Sequence, residues 1–300
     1  MSTNTNAIKD FLWRKKMYVM GRFFPQKLAE YKYRSCFGKP LDWDNPQTID
    51  EKINWAKFYA DTSEWPTLAD KYAVRAFVER RGFKDALVTL YGKWDSVDDI
   101  EWDRLPASFA MKMNNGSGDV RICKDKTTFD IGECKRHFAK LMKTKFGYDL
   151  CEPHYNKIKP CIIAEELLDS SRQSLPSTSL VDYKFLAFDG KPAYILVCLN
   201  RAGHDVELAL YDLDWNFHPE YSIPTEHCLL HDKPLPRPKA LDEMTSMAAR
   251  LSEGFPFVRV DLYEIGGKPY FGEMTFTPAG GFLDYFTEEF RKKLGGKYTL

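Results

Sequence analysis

The sequence predicts an α+β fold with a large share of antiparallel sheet. Two stretches carry this expectation. Residues 182–201 (DYKFLAFDGKPAYILVCLNR) and 257–276 (FVRVDLYEIGGKPYFGEMTF) each read as two apolar strands joined by a tight-turn dipeptide, Asp189-Gly190 and Gly266-Gly267. Helical segments alternate with these hairpins along the chain, the third observation. With 300 residues, 44% of them hydrophobic and 15% aromatic, the chain can bury the core of one large domain or of two joined ones.

Taken in order, residues 8–34 (IKDFLWRKKMYVMGRFFPQKLAEYKYR) suit a helix on which Ile8, Leu12, Val19 and Phe23 share one side. Basic residues Lys9, Arg14, Lys15, Lys16 and Arg22 interleave with aromatics. The segment reads either as a helix lying on an anionic membrane surface or as one docked on the main domain with its charges in water. Residues 38–46 are loop-like, and Thr48 or Asp50 could cap a helix over 50–60. The stretch 68–83 reads as one helix capped by Asp70 and ended by Gly82, and 85–92 as a strand. Residues 105–123 read as strand, Gly-rich loop and strand, 130–147 as a basic helix, 161–168 as an apolar strand running into two carboxylates, and 239–253 as a helix. These segments divide the chain into a helical N-terminal part (1–65) and two α+β subdomains, 66–160 and 161–300.

Composition excludes several classes. Basic and acidic residues number 43 each, and this neutrality argues against a dedicated nucleic-acid binder. The seven cysteines include no CxxC pair and suit reduced, buried thiols better than a disulfide framework or a zinc site. Arg14, Lys15 and Lys16 interrupt what would be the apolar part of a signal peptide, and no apolar run is long enough to span a bilayer. A cytoplasmic protein is expected, at most attached to the inner face of a membrane.

Three constellations could carry chemistry. In KMNNGSGD (112–119), a strand lysine precedes small residues whose backbone N–H groups can approach phosphate oxygens, although a flexible hairpin turn accounts for the loop equally well. In VRVDLYEIGGKPYFGEMTFTP (258–278), alternation places Arg259 and Asp261 on one face of one strand, and Glu273 and Thr275 on one face of the next. A turn at Gly266-Gly267 brings Asp261 near Glu273. Facing carboxylates repel unless a cation separates them, and Mg²⁺ is commonly held by one or two carboxylates together with substrate phosphates. A surface hairpin in which Arg259 neutralises both acids is the other reading. The third constellation, Asp212-Leu213-Asp214, matches the DxD pair of nucleotide-sugar glycosyltransferases and also a polar turn. There is no HExxH and no GxSxG.

In order and residue type, residues 66–285 resemble the ATP-grasp superfamily, most closely its TupA-like branch, linked with teichuronopeptide and other cell-surface polysaccharide synthesis. The resemblance implies two α+β subdomains clasping a nucleotide between antiparallel sheets, with ATP and Mg²⁺ as cofactors. It places Lys71, Lys112, Ser117, Gly118, Glu165, Glu166, Leu168 and Lys184 at the nucleotide, and Asp261, Glu273 and Thr275 at the metal. Arg259 and Lys184 take the catalytic positions. Thr275 stands where asparagine is usual and Lys184 where arginine is common. The implied reaction is carboxylate–amine ligation through an acyl phosphate, driven by positioning and charge stabilisation, on small-molecule or glycan substrates. The alternatives are a glycosyltransferase of surface polysaccharide assembly using Asp212 and Asp214, a kinase on the same fold, and a non-catalytic nucleotide-binding module.

Overall fold

The structure is a computed structural model that describes the backbone of residues 2–116 and 118–300, and side chains from Leu12 onward. The described residues form eight α-helices and ten strands. Helices α1 (Ser2–Phe23), α2 (Pro25–Phe37) and α3 (Ile49–Tyr59) precede the first sheet. Thr48 caps α3 through a reciprocal capping box with Glu51. The other candidate cap, Asp50, turns inward instead: it accepts the Leu283 N–H at 2.7 Å and pairs with Arg291.

The single helix expected over 68–83 is two short ones, α4 (Trp65–Ala69) and α5 (Val74–Arg80). The break falls at Asp70. Its carboxylate accepts the N–H groups of Tyr72 and Ala73, and its other oxygen accepts from Asn114 at 2.8 Å. A tertiary partner therefore outweighs the helical propensity of this stretch. The strand expected over 85–92 is also displaced: residues 84–86 make a 3-10 turn, and β1 runs Leu90–Trp94.

Two sheets follow. β2 (Phe109–Met113), β3 (Val120–Cys123) and β4 (Ile162–Glu165) join β1 in the order β1-β4-β2-β3, with α6 (Ile131–Leu141) connecting β3 to the rest. A division at 160/161 assigns β4 to the C-terminal half, whereas its hydrogen bonds place it between β1 and β2. The larger sheet has the order β10-β9-β5-β6-β7-β8, from β5 (Asp182–Phe188), β6 (Lys191–Ala202), β7 (Asp205–Asp212), β8 (Cys228–Leu230), β9 (Val258–Ile265) and β10 (Lys268–Thr275). It is antiparallel except at β7–β8. Both hairpins turn where the dipeptides sit: Asp189 and Gly190 have φ of 45° and 75°, Gly266 and Gly267 of 61° and 77°, as paired positive-φ turns require.

α7 (Leu241–Ser252) covers β5, β6 and β9, and α8 (Glu288–Gly295) closes against α3. The largest buried cluster combines this sheet, α7, α3 and α8, and a separate one fills the space between the small sheet and α6. Each sheet thus has its own apolar support on one face, which leaves the other face of β9–β10 for polar side chains. The seven cysteines are all unpaired, and five are buried. Among the described residues, no helix is long and apolar enough to cross a membrane.

Candidate functional site

Alternation on β9 directs Arg259, Asp261 and Tyr263 to one face, and the neighbouring strands bring partners to them. Lys184 on β5 is directly opposite Asp261, and Glu273 on β10 is opposite it from the other side. That second pairing depends on a β-bulge. From Lys268 to Phe271, partner numbers sum to 533, as a turn at Gly266-Gly267 dictates, and Phe271 faces Leu262. Between Phe271 and Glu273 the register shifts, so Glu273 rather than residue 272 meets Asp261. Gly272 is the extra residue. A Cβ there would lie 2.9 Å from the Asp261 carbonyl oxygen and 3.1 Å from the Tyr263 ring, so only glycine allows the strands to approach this closely.

The result is a buried ionic network. Arg259 donates to both oxygens of Asp261, at 2.6 and 2.7 Å, and also to Glu273 at 3.2 Å and to the Thr275 hydroxyl at 3.1 Å. Thr275 in turn donates to Glu273 at 3.2 Å. Lys184 donates to Asp261 and lies 3.5 Å from Asp182, which Arg201 also contacts. Lys71 reaches across from the segment between α4 and α5: its Nζ donates to the Gly116 carbonyl at 2.6 Å and lies 3.4 Å from Glu273. The Lys71 backbone N–H donates to Asn114, which clamps the start of the Gly-rich loop through Asp70, Lys159 and Cys161.

The two carboxylates differ. The Asp261 side chain is 1% exposed, and burial raises its pKa against the pull of Arg259 and Lys184. The Glu273 side chain is 30% exposed. Burial raises its pKa too, but Lys71, Lys184 and Arg259 overcome this and hold it well below the usual carboxylate range. Arg259 does neutralise both acids, as the second reading of this hairpin has it, but on a buried strand, β9, with the half-buried edge strand β10 beside it. No group of three or more His, Cys, Asp or Glu side chains that could hold a metal occurs among the described residues. The two carboxylates nevertheless suit Mg²⁺, which takes its remaining ligands from phosphate and water. Glu273 has the accessible oxygen. An ion reaching Asp261 would take the place of one of its present hydrogen bonds.

A second cluster lies on the small sheet. Lys112 contacts Glu165 at 2.6 Å, and Arg75 on α5 contacts the other Glu165 oxygen at 3.1 Å while donating to the Val88 carbonyl. The two clusters meet around Tyr263, whose hydroxyl pKa is raised well above its ordinary value by burial and by the charges of Asp182, Glu273, Asp261 and Glu165. Among the described residues, these two clusters bring six basic side chains (Lys71, Arg75, Lys112, Lys184, Arg201, Arg259) against four carboxylates (Glu165, Asp182, Asp261, Glu273).

Not every candidate joins them. Glu166 is exposed, and its carboxylate is bonded to the Thr89 hydroxyl at the sheet edge. Leu168 is half-buried beyond the end of β4. Gly118 occupies a left-handed turn with φ of 79°, and Ser117 lies outside the described residues. Asp212 spends its oxygens on Asn216 and His218 of its own loop, which is the polar-turn reading of Asp212-Leu213-Asp214. Arg75, Asn114, Asp182 and Tyr263 join the candidate site without having been sequence candidates. Two had signals: Arg75 follows Lys71 by four residues, one turn in the helix expected over 68–83, and Tyr263 extends the alternation that begins at Arg259.

The profile of the TupA-like ATP-grasp family matches residues 51–299. No curated protein matches the chain. Among solved structures, D-alanine–D-alanine ligase from Bacillus anthracis complexed with ATP is 15% identical, covering 77% of this chain and 61% of its own, with a TM-score of 0.42. L-amino acid ligase from Bacillus licheniformis is 15% identical over 85% of this chain and 55% of its own, with a TM-score of 0.45. D-cycloserine synthetase DcsG is 14% identical over 93% and 94%, with a TM-score of 0.45. The chain therefore spans less than two thirds of either of the first two ligases.

Proposed function

The chain belongs to the TupA-like ATP-grasp family, and from that membership we propose that it is an ATP- and Mg²⁺-dependent carboxylate–amine ligase. The observation that carries the reading is the excess of cations over carboxylates where the two sheets meet, in a chain whose net charge is zero. Such a site is short of negative charge, and a polyphosphate supplies it. Lys71, Lys112 and Lys184 would hold the phosphates, and Glu273 and Asp261, steadied by Thr275, would hold the Mg²⁺. Held there, the ion would neutralise phosphate charge.

The chain's own residues position and stabilise. Arg259 presents a fixed guanidinium to the oxygens that gain charge as a substrate carboxylate attacks the γ-phosphate. That attack breaks the bond between the β- and γ-phosphates, releasing ADP and leaving an acyl phosphate; an amine then displaces phosphate from the acyl carbon, giving an amide, inorganic phosphate and a proton. Lys71 ties the Gly-rich loop to Glu273, so the covering loop and the acid are set together. A cell-surface polysaccharide or its precursor is the acceptor that the TupA-like branch implies, with the enzyme working in the cytoplasm.

The test is titration calorimetry of Mg·ATP on the wild type and on Glu273→Gln, followed by phosphate release with candidate acids and amines. Binding that needs both Mg²⁺ and Glu273 is expected. Absence of nucleotide binding by the folded wild type would overturn the reading.

A further inference from the structure

Among the described side chains of helix α1, Met17 and Gly21 mark the side packed on the rest of the molecule. Met17 is fully buried in a cluster with Leu28, Ala29 and Tyr33. Gly21 sits so close to residue 148 that a Cβ would fall 1.8 Å from the Tyr148 carbonyl oxygen. The opposite side is apolar and exposed. At the pitch of an α-helix, Val19 and Phe23 project within about 20° of Leu12, and the three are 49%, 61% and 58% exposed respectively. Trp13, Phe24 and, from α2, Tyr31 extend the same surface. The side that the sequence pattern marks as apolar is therefore not the side that docks.

This surface is also strongly basic. Residues 12–34 hold seven basic residues and one acid, Glu30, while the whole chain is neutral. Cations sit over the exposed rings: Lys16 over Tyr31 at 5.7 Å, Arg22 over Phe23 at 5.2 Å, Lys27 over Phe24 at 5.7 Å and Lys32 over Trp13 at 5.9 Å. We propose that the outer face of α1 and the start of α2 is a peripheral docking surface for an anionic lipid bilayer. Rings and aliphatic side chains would enter the headgroup boundary, and the long basic side chains would reach up to lipid phosphates. Charge selects this occupant over a second copy of the chain, because self-association through this face would bring two sets of like charges together.

The test is flotation of the full chain with vesicles of phosphatidylcholine alone and of phosphatidylcholine with phosphatidylglycerol. Wild type should partition onto the anionic vesicles at least on the order of tenfold more than onto the neutral ones, and less so at high salt. The triple variant Leu12→Ser, Val19→Ser, Phe23→Ser and, separately, the pair Lys16→Glu, Arg22→Glu should each lower that partition by on the order of tenfold. Both should unfold at the wild-type temperature, since neither touches the buried side of α1. If the triple variant misfolds, the charge pair still decides. Failure of wild type to bind anionic vesicles, equal binding by the variants, or a wild-type dimer that the triple variant dissolves would each overturn the proposal.

Discussion

The same kind of interaction, a base bonded to a carboxylate, is built differently on the two sheets. On the large sheet, Arg259 and Asp261 are 11% and 1% exposed, both Asp261 oxygens accept from Arg259 and one of them also from Lys184, and the pair stands between Glu273 and Asp182. On the small sheet, Lys112 is 21% exposed, and its partner Glu165 keeps Arg75 when Lys112 is removed. The large-sheet pair is closed to water, whereas the small-sheet half keeps bases that water can reach. A base that water reaches exchanges its bond to a carboxylate for one to a phosphate at lower cost than a buried base does.

This contrast can be broken in four places. The largest effect is expected for Arg259→Ala, which leaves Asp261 buried with Lys184 alone. One Asp261 oxygen then has no donor; breaking a buried ion pair by removing one partner costs about 3–5 kcal/mol, and urea unfolding would measure it. Next is Glu152, which is buried behind the end of β10 and accepts the Thr277 hydroxyl at 2.6 Å. Burial pushes its carboxyl from an ordinary 4.5 up to about 7, against the pull of Thr277 and Lys57. Between those two pH values the folded chain keeps a proton that the unfolded chain has lost, so stability falls as pH rises through this window. Relative to Glu152→Gln, wild type should lose roughly 3 kcal/mol over it, seen in unfolding midpoints from pH 4 to 8.

Gly272→Ala should cost about 1–3 kcal/mol, because the new methyl meets the backbone of β9 rather than a movable side chain. Mg·ATP binding should weaken with it if the bulge sets Glu273. The smallest stability effect is expected for Lys112→Met, under about 1 kcal/mol because the pair is partly hydrated, while nucleotide affinity falls by about tenfold in calorimetry. A loss of stability in Lys112→Met as large as that in Arg259→Ala would erase the distinction between the two halves.

What the sequence disclosed follows from the range of the forces involved. Asp189-Gly190 and Gly266-Gly267 are local signals, since positive φ is a property of the residues themselves. Both hairpins, and with them the shared face of Arg259, Asp261, Glu273 and Thr275, could therefore be read. The split of the 68–83 helix at Asp70 could not, because its cause is Asn114, more than forty residues away. The same holds for Lys71 on the Gly116 carbonyl and for Arg75 on Glu165. The buried group of Lys57, Glu152 and His154 gave no signal at all. Its residues are scattered polar ones that only tertiary packing collects, and burial lowers the His154 pKa to about 3.

The bulge at Gly272 frees the site from a strict dependence on chain length. In an unbroken hairpin that turns at Gly266-Gly267, residue 272 would face Asp261, so deleting Gly272 would bring Glu273 into that position by regular pairing. Glu273, Met274 and Thr275 would keep both their partners and their faces. The extra residue therefore governs the local twist and the aim of the Glu273 side chain, not which side chains stand beside Asp261. A single codon lost at this point would change the angle of the acid and leave its place in the sheet intact.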